Sequence, residues 1–413
     1  MQEGANGRHY RELGVRRVVN AIGPWTRIGG SSWPSEIIDA MIDANSCYVE
    51  MQELQEKAGR AIAELTGAEA AYVTGGAFCA VSLSVAACIA GNDPEKINRL
   101  PDTSAMTKVE VIHQACLRYK YERAVTAVGA KLILVGDNSG CRPEQIEAAI
   151  SEKTAAMMFV PPGKSTAVAV EKVIEIGNKH GVPVIVDSPG NIYGSDMWVP
   201  GNIYPDEGYG NFAKLGADLV CCGGKYIGAP QSVGYVFGKK SLIDSIAMQS
   251  FVGYEDRSNL YRPLGRMSKL DRQSIVALVV ALRRWKNLDH RLRLQCAHNK
   301  KRYLMEQIVA VGSVKISEVP DSAIMVGFEV TCEGMSGVET SNFVHELLEG
   351  NPSIEVFYDM HGMVRGRVQT TPNSYVINVI CLQDGDEEIV ANRITSLFRE
   401  RNESRVLGKI RNA

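Results

Sequence analysis

The sequence predicts an α/β fold, with a large domain built on a mostly parallel central sheet and a smaller α+β domain at the C-terminal end. Three observations predict it: apolar strand-like and helical runs alternate along the chain, no internal repeat interrupts them, and 413 residues exceed a single ordinary core. We expect residues 1–50 to form an N-terminal segment, residues 51–265 the large domain, and residues 266–413 a linking helix and the small domain.

The elements of the large domain follow from hydrophobic periodicity and from β-branched runs. A strand that begins at Ala71 leads into an Ala-rich, apolar helix that extends through Ile89. Residues 196–210 are rich in Gly, Pro and aromatic residues and predict an irregular loop, either at the entrance of a site or as a surface excursion. The remaining strands are predicted at residues 109–112, 131–135, 155–160 and 182–187, and the helices at residues 143–151 and 171–180.

The C-terminal part begins with a long helix, which the spacing of apolar residues predicts over residues 275–286. The N-terminal segment, which includes Asn20 and the polar residues 26–30, is expected to complete the small domain and to reach the site. The other small-domain elements are predicted strands at residues 324–330 and 375–380 and helices at residues 338–349 and 387–399.

The charge and the hydropathy pattern exclude several classes of partner. A formal net charge of −2 gives no electrostatic signature of a nucleic-acid or anionic-membrane partner. The polar residues 1–10 lack the apolar core of a signal peptide, and the longest apolar stretch, residues 77–90, is shorter than the roughly 20 residues that span a bilayer. We therefore expect a cytoplasmic protein without a membrane partner.

The ten cysteines are scattered along the chain without the spacing typical of metal ligands. The neighbouring Cys221 and Cys222 cannot form an ordinary disulfide. Reduced thiols that pack as small residues in a reducing compartment are the simplest interpretation, so we expect no metal site.

Lys225 is the first candidate for catalysis. It follows an apolar strand-like run and lies in a glycine-rich turn, Gly223-Gly224-Lys225-Tyr226-Ile227-Gly228. Such a turn leaves room for a planar ligand, and a desolvated amine loses its proton closer to neutral pH, which are the conditions for a Schiff base with an aldehyde. The alternative is an ordinary solvated loop lysine.

Asp187 is the second candidate, because it ends the apolar run Val182-Pro183-Val184-Ile185-Val186. Ligands of open α/β sheets bind at the carboxyl ends of the strands, and a carboxylate there can pair with a protonated ring nitrogen such as the pyridinium of pyridoxal 5'-phosphate. The alternative is an aspartate that caps the next turn.

Gly75, Gly76 and Ala77 form a candidate phosphate cradle between a strand and an apolar helix. Glycines let the backbone approach an anion, and the free N–H groups of the first helical turn bind it without a cation. A lone Gly-Gly turn matches many loops that bind nothing. The order of phosphate turn, strand-end aspartate and Gly-flanked lysine is a far more specific pattern.

On these motifs the chain resembles fold-type I pyridoxal-phosphate enzymes, with an aspartate aminotransferase-like fold, and among them the selenocysteine synthase (L-seryl-tRNA selenium transferase) family. Similar stretches occur at residues 17–23, 53–59, 65–71 and 384–388. The branch typified by D-glucosaminate-6-phosphate ammonia-lyase shares further stretches at residues 98–102 and 224–232.

The resemblance implies that Lys225 carries the cofactor aldehyde, that Asp187 pairs with the pyridine nitrogen, and that Gly75, Gly76 and Ala77 bind the phosphate. Cys222 stands where the branch more often has a serine that helps to hold the phosphate. Leu117 stands where the lyase-like branch is expected to have a histidine, so the substrate and the reaction remain open.

The weaker candidates lie on the same sheet edge or in basic segments. His113 and Gln114 end a predicted strand, and His113 is either a ring-stacking or acid/base group or a packed strand histidine. Arg266 and Lys269 match a basic pair of the lyase-like relatives; they bind an anionic substrate group or a partner subunit's cofactor phosphate, or are ordinary helix-start cations. Arg367, with Arg365, is a candidate for binding a substrate carboxylate, with surface placement as the alternative.

The function expected from this site is an α,β-eliminating lyase. Lys225 removes the α-proton of a small amino acid or amino sugar acid, and loss of a β-substituent leads to a keto acid and ammonia. A racemase or epimerase and an aminotransferase use the same carbanion and remain open.

Two alternative functions belong to other classes of protein. Transfer chemistry on a charged tRNA is disfavoured by the balanced charge and by the short lead before Arg17, which leaves no room for an N-terminal RNA-binding domain. The second alternative is a homologue that keeps the fold for binding or assembly without catalysis. The presence of both Lys225 and Asp187 argues against it, because a binding protein needs neither residue. We also expect a homo-oligomer, at least a dimer, because enzymes that resemble this chain commonly complete each site across a two-fold interface.

Overall fold

The computed structural model describes residues 7–161, 165–188, 212–255, 261–322, 324–358 and 370–411. Its strands are β1 (Val18–Ala21), β2 (Ala70–Thr74), β3 (Glu110–Gln114), β4 (Lys131–Val135), β5 (Thr154–Phe159), β6 (Val184–Asp187), β7 (Leu219–Gly223), β8 (Gly234–Gly238), β9 (Val314–Ser322), β10 (Met325–Cys332), β11 (Ser353–Val356) and β12 (Ser374–Asn378).

The helices of the described residues range from short turns to long helices, and the two longest lie near the C-terminal end. They are α1 (Arg8–Glu12), α2 (Ser35–Asn45), α3 (Met51–Thr66), α4 (Gly76–Ala90), α5 (Pro94–Arg99), α6 (Arg123–Thr126), α7 (Pro143–Ala149), α8 (Val170–His180), α9 (Lys240–Met248), α10 (Phe251–Glu255), α11 (Arg272–Asn287), α12 (His290–Val309), α13 (Gly337–Leu348) and α14 (Asp386–Arg411). No helix in these ranges is both long enough and apolar enough to cross a bilayer.

The chain folds into two compact units. Among the described residues, the smaller unit contains residues 7–30 and 289–411, and the larger one contains residues 31–188 and 212–288. The domain boundaries that the sequence suggested, after residues 50 and 265, both fall inside the larger unit. They do so because α11 packs against α2 and α3.

A seven-stranded sheet forms the centre of the larger unit, in the order β2-β8-β7-β6-β5-β3-β4. Every neighbouring pair is parallel except the two pairs that β8 makes with β2 and β7. All strands but β8 therefore point the same way, and the prediction of a mostly parallel central sheet is confirmed. β8, which begins and ends with glycine, was not among the strands that we predicted.

Helix α4 lies against this sheet and is buried along almost its whole length. It packs on β7, β8 and α9, and its residues from Cys79 onward are apolar or small. Because it is apolar on all sides, it has no polar face to turn to water and fits only in an interior position. Its first residues, Gly76 and Ala77, are partly exposed, so the helix begins at the surface and continues into the core.

The smaller unit has a three-stranded antiparallel sheet in the order β12-β10-β9, and β1 pairs in parallel with β11. An aromatic core that includes Phe328, Phe343 and Phe398 packs α12, α13 and α14 around it. The prediction of a small C-terminal α+β domain is confirmed. β12 ends at Asn378, two residues earlier than expected, because the side-chain oxygen of Asn378 accepts a hydrogen bond from the Ile380 N–H, 3.1 Å away, and the chain turns there.

Candidate functional site

The carboxyl ends of β2, β6 and β7 and the amino end of β8 meet at one edge of the seven-stranded sheet. Thr74 of β2 lies opposite Gly234 of β8, which in turn lies opposite Gly223 of β7. Asp187 of β6 lies opposite Cys221 of β7. This edge therefore brings together the candidate phosphate turn after β2 (Gly75, Gly76 and Ala77, called the phosphate turn below), the aspartate at the end of β6 and the lysine turn after β7, as expected for ligand sites of open α/β sheets.

Lys225 lies in a tight 3-10 turn, Gly224–Ile227, directly after β7. The turn requires glycine at its start, because a Cβ on Gly224 would lie 2.8 Å from Val233 Cγ1 and 3.0 Å from the Val233 carbonyl oxygen. It ends at Gly228, whose φ of +83° is in the left-handed region that glycine tolerates. The hydroxyl of Ser31 donates to the Lys225 carbonyl and holds the turn.

The amine of Lys225 is partly buried, and this burial makes it more reactive than the amine of an exposed lysine. Burial, together with the smaller effect of the positive charge of Lys120, lowers its pKa from 10.5 to about 8. The Nζ atom lies 4.9 Å from the ring centroid of Tyr226. A much larger fraction of this amine is therefore unprotonated near neutral pH than of an ordinary lysine, and the unprotonated amine is the form that attacks an aldehyde.

Asp187 is almost completely buried at the end of β6. The hydroxyl of Tyr119 donates to its Oδ2 atom, whereas its Oδ1 atom, also buried, has no hydrogen-bond partner among the described residues. Burial raises the pKa of the carboxyl from 3.8 to about 6, against the opposing effect of the Tyr119 hydrogen bond. A buried acceptor without a partner is costly, so this oxygen needs a donor that the described chain does not supply.

A protonated ring nitrogen would be a suitable donor for this oxygen of Asp187. In the ranges that the structure describes, the ionisable groups that interact with Asp187 are Tyr119, Tyr226, Cys221 and Cys222, and burial raises the pKa of each. All four are therefore neutral near pH 7, and no cation among them competes for the carboxylate.

The phosphate turn is built from backbone alone. Gly76 has a φ of +80°, and a Cβ on Gly75 would lie 2.9 Å from Ser268 Cβ, so side chains are excluded from both positions. A Cβ on Gly234 would lie 2.4 Å from the Gly76 carbonyl carbon and 2.8 Å from the Ala77 nitrogen. The turn is thus pressed against β8, and the first N–H groups of α4 are available for an anion.

His113 and Gln114 face the protein interior. The ring nitrogens of His113 lie 3.2 Å from the carbonyl oxygens of Met158 and Leu117, and burial lowers its pKa, so the imidazole is neutral. The Gln114 amide donates to the Val168 carbonyl, at 3.0 Å, and accepts from the Val168 N–H, at 2.7 Å. These contacts show how β3 is anchored; a role of either residue toward a cofactor stays a prediction.

The other predicted site residues occupy different surroundings. Cys222 is buried against Tyr235, and burial raises the pKa of its thiol to about 12, so it is a neutral thiol in β7. Arg266 pairs with Glu255, with 3.0 Å between Nε and Oε1, in the 3-10 turn Leu264–Ser268 that approaches the phosphate turn. Lys269, next in the chain after that turn, is exposed. Arg365 and Arg367 lie outside the described residues.

Tyr119 and Lys120 were not predicted as site residues. Both follow the 3-10 turn Ala115–Leu117 at the end of β3, and they approach Asp187 and Lys225 respectively. Their positions near the carboxyl end of a predicted strand are a signal that could have identified them, but their side-chain contacts depend on how the strands are ordered in the sheet.

Comparison with known proteins gives several matches. The family model described as SelA, L-seryl-tRNA selenium transferase, matches residues 18–294. D-glucosaminate-6-phosphate ammonia lyase of Salmonella typhimurium is 29% identical over 281 residues, which cover 66% of this chain and 69% of the relative. The 5'-C-glycyluridine monooxygenase-decarboxylase of a Streptomyces species is 26% identical over 409 residues, which cover 96% of this chain and 93% of the relative.

The solved structures give the same fold. A structure of D-glucosaminate-6-phosphate ammonia-lyase superposes with a TM-score of 0.75 at 22% identity and covers 96% of this chain and 99% of its own. Aspartate aminotransferase from Thermotoga maritima has a TM-score of 0.51 at 16% identity and covers 96% of this chain and 95% of its own. The predicted aspartate aminotransferase-like fold is confirmed.

The sequence matches also confirm that the chain is an enzyme, of the pyridoxal-phosphate-dependent type. Both sequence relatives are named for enzymatic activities. The family model covers well over half of the 413 residues. The chain therefore belongs to the SelA family, L-seryl-tRNA selenium transferase.

Proposed function

We propose that this protein binds pyridoxal 5'-phosphate at the sheet edge and uses it as a lyase on a small amino acid or amino sugar acid. The observation that carries the proposal is the buried Oδ1 of Asp187, which has no partner in the described part of the chain, at the same edge as the low-pKa amine of Lys225. Lys225 would hold the cofactor aldehyde, Asp187 its ring nitrogen, and the backbone of Gly75, Gly76 and Ala77 its phosphate.

The residues of the chain then have distinct tasks. When bound, pyridoxal phosphate supplies an electron sink for negative charge at the substrate α-carbon. Asp187 would hold the proton on the ring nitrogen and so maintain that sink. Lys225 would accept the α-proton of the substrate, because its pKa, lowered to about 8, is close to neutral pH.

The substrate class and the elimination step are part of the proposal. Loss of a β-substituent after proton removal, followed by hydrolysis, yields a keto acid and ammonia. The ammonia lyase of Salmonella typhimurium, matched over two thirds of this chain, supports elimination. Racemase, epimerase and aminotransferase activities begin with the same proton transfer and are outcomes of the test below.

A second candidate is oxidative decarboxylation. The relative named as a 5'-C-glycyluridine monooxygenase-decarboxylase aligns with 96% of this chain, far more than the 66% aligned with the ammonia lyase. The two reactions differ in the bond that breaks at the α-carbon: a C–H bond in elimination, and the bond to the carboxylate carbon in decarboxylation. The same electron sink serves either reaction.

The test has a binding arm and a product arm. We expect the protein, after incubation with pyridoxal phosphate and reduction by borohydride, to carry the cofactor on Lys225, as identified by peptide mass mapping, and Lys225→Ala to remove the label. Label on a different lysine, or no label at all, would refute the proposed site. Lys120→Ala is a useful control because it removes a neighbouring lysine amine.

The product arm separates the candidate reactions. A panel of amino acids, amino sugar acids and glycyl nucleosides is assayed for keto acid, ammonia, carbon dioxide and oxygen consumption. Keto acid with ammonia and no oxygen uptake supports the lyase. Carbon dioxide release coupled to oxygen uptake supports the monooxygenase-decarboxylase instead, and loss of substrate chirality alone supports a racemase.

The proposal extends to the assembly and its compartment. We propose a cytoplasmic homo-oligomer: the ten cysteines are all free thiols, which suits a reducing compartment. Apolar side chains on and just after α2 are exposed, including Ile42 at 66% and Tyr48 at 92%. Exposed apolar patches of this kind are typical of subunit interfaces.

A further inference from the structure

We propose that Tyr119 is a positioning residue for the cofactor. Its hydroxyl donates a hydrogen bond to Oδ2 of Asp187, which leaves Oδ1 as the oxygen that accepts a hydrogen bond from the ring nitrogen. This inference rests on the proposed function. It adds a residue that the phosphate turn, the strand-end aspartate and the lysine turn do not include.

The geometry singles out Tyr119. It lies between the 3-10 turns Ala115–Leu117 and Lys120–Glu122, after β3, and its hydroxyl reaches across to the carboxylate at the end of β6. Within the described part of the chain it is the only side chain that hydrogen-bonds to Asp187. The other oxygen of this carboxylate is buried and has no donor there.

The contact is directional. A phenol near neutral pH has one proton to donate, and the pKa of Tyr119 is raised far above its ordinary value by burial and by the charge of Asp187, so the phenol stays protonated. A carboxylate accepts on both oxygens, and the donor on Oδ2 fixes the rotation of the carboxyl group about its Cβ–Cγ bond. The direction in which Oδ1 accepts a hydrogen bond is then fixed as well.

The same hydrogen bond keeps the carboxylate ionised. Burial raises the pKa of Asp187, and the Tyr119 hydrogen bond lowers it. Among the described residues, the other ionisable groups that face Asp187 are Cys221 and Cys222 on β7 and Tyr226 in the turn after β7, and all are neutral near pH 7. Removing the phenol hydroxyl therefore leaves burial unopposed, and the carboxyl takes up its proton at higher pH.

The experiment measures non-covalent binding of pyridoxal phosphate by equilibrium dialysis between about pH 5.5 and 8.5. All proteins carry Lys225→Ala, which removes the titration of that amine from the binding curve. Against this parent we compare Tyr119→Phe, which keeps the ring and removes the hydroxyl. The control is Tyr121→Phe, since Tyr121 is a half-exposed neighbour whose ring centroid is 5.8 Å from that of Tyr119.

We expect Tyr119→Phe to weaken binding about tenfold near pH 7, the usual effect of losing one hydrogen bond to a charged group. The pH at which binding is half lost should rise by about one unit. The Tyr121→Phe control should leave both values unchanged. Thermal unfolding of each variant checks that it is folded.

A double-mutant cycle separates positioning from simple structural support. In an Asp187→Asn background, Tyr119→Phe should change the dissociation constant less than twofold, because no carboxylate remains to orient. An equal loss with and without the carboxylate would overturn the inference, and so would an unchanged pH profile. If the Lys225→Ala parent and the unmodified protein both fail to bind pyridoxal phosphate, the proposed function itself fails.

Discussion

At the level of single residues, burial is the cause of most of the unusual chemistry at this site. It moves the pKa of Lys225 down to about 8 and that of Asp187 up to about 6. The two pKa values thus approach each other from opposite directions. Pairs of groups whose environments shift them in this way are characteristic of acid/base sites.

Asp187 should reduce the stability of the cofactor-free protein at neutral pH. Its pKa is raised from 3.8 to about 6 on folding, so the stabilisation from its bound proton is complete below about pH 3.8 and is lost as the pH rises through about 6. We expect Asp187→Asn to raise the free energy of unfolding of the cofactor-free protein by about 3 kcal/mol near pH 7, and by little near pH 4. Urea unfolding at both pH values tests this, and an equal gain at both would contradict it.

Lys120 should tune the reactivity of Lys225. Because the charge of Lys120 lowers the pKa of the Lys225 amine, Lys120→Met is expected to raise that pKa, whereas Lys120→Arg keeps the charge and should change it little. The measurement is the rate at which Lys225 is labelled by pyridoxal phosphate and borohydride as a function of pH. The rate profile of Lys120→Met should move to higher pH; coincident profiles for all three proteins would rule the coupling out.

The site residues that could be predicted are those whose signal is local. Lys225 with its glycines, Asp187 after its strand, and the turn at Gly75 each have their signature within a few neighbouring residues. Tyr119 does not, because it contacts a residue 68 positions away. That contact depends on the order of β3, β5 and β6 in the sheet, which short sequence patterns do not determine.

At the level of secondary structure, β8 is the strand of the seven-stranded sheet that the sequence did not reveal. Its five residues, Gly234–Gly238, have a glycine at each end, which masks the strand signal. The reason for the first glycine is tertiary: β8 begins where the phosphate turn touches it. Long helices and strands of β-branched residues, such as α11 and β6, were predicted because their periodicity is intrinsic to the segment.

Gly234 should therefore be intolerant of any side chain. A Cβ there would lie 2.4 Å from a backbone atom of Gly76, which cannot move away without displacing the start of α4. We expect Gly234→Ala to cost roughly 2 kcal/mol or more in unfolding free energy and to weaken pyridoxal phosphate binding at least tenfold. Gly312→Ala is the control, since a Cβ at Gly312 meets nothing within 4 Å and strains only the local backbone, with its φ of +72°. Normal cofactor binding by Gly234→Ala would show that the turn is not the phosphate cradle.

At the level of the whole molecule, the proposed oligomer makes a prediction about shared sites. Arg266 lies near the phosphate turn and forms an ion pair with Glu255, the last residue of the partly exposed α10. If Arg266 serves the site of a partner subunit, mixing Lys225→Ala with Arg266→Ala subunits should restore activity, because some hybrid sites receive both intact groups. Activity assays after verified subunit exchange measure this. Full activity of a dilute monomer would refute the shared site; an active oligomer without complementation would remove only the role of Arg266 in a partner's site.

The burial of α4 has a consequence for how the protein would respond to anions. Its first turn is open to solvent while the remainder forms part of the core, so a phosphate that binds the first turn binds a structure that exists only in the folded chain. Binding to the folded state alone raises the melting temperature by mass action. Occupancy of the turn is thus thermodynamically linked to the integrity of the core, and inorganic phosphate alone should act as a thermal protectant of this enzyme.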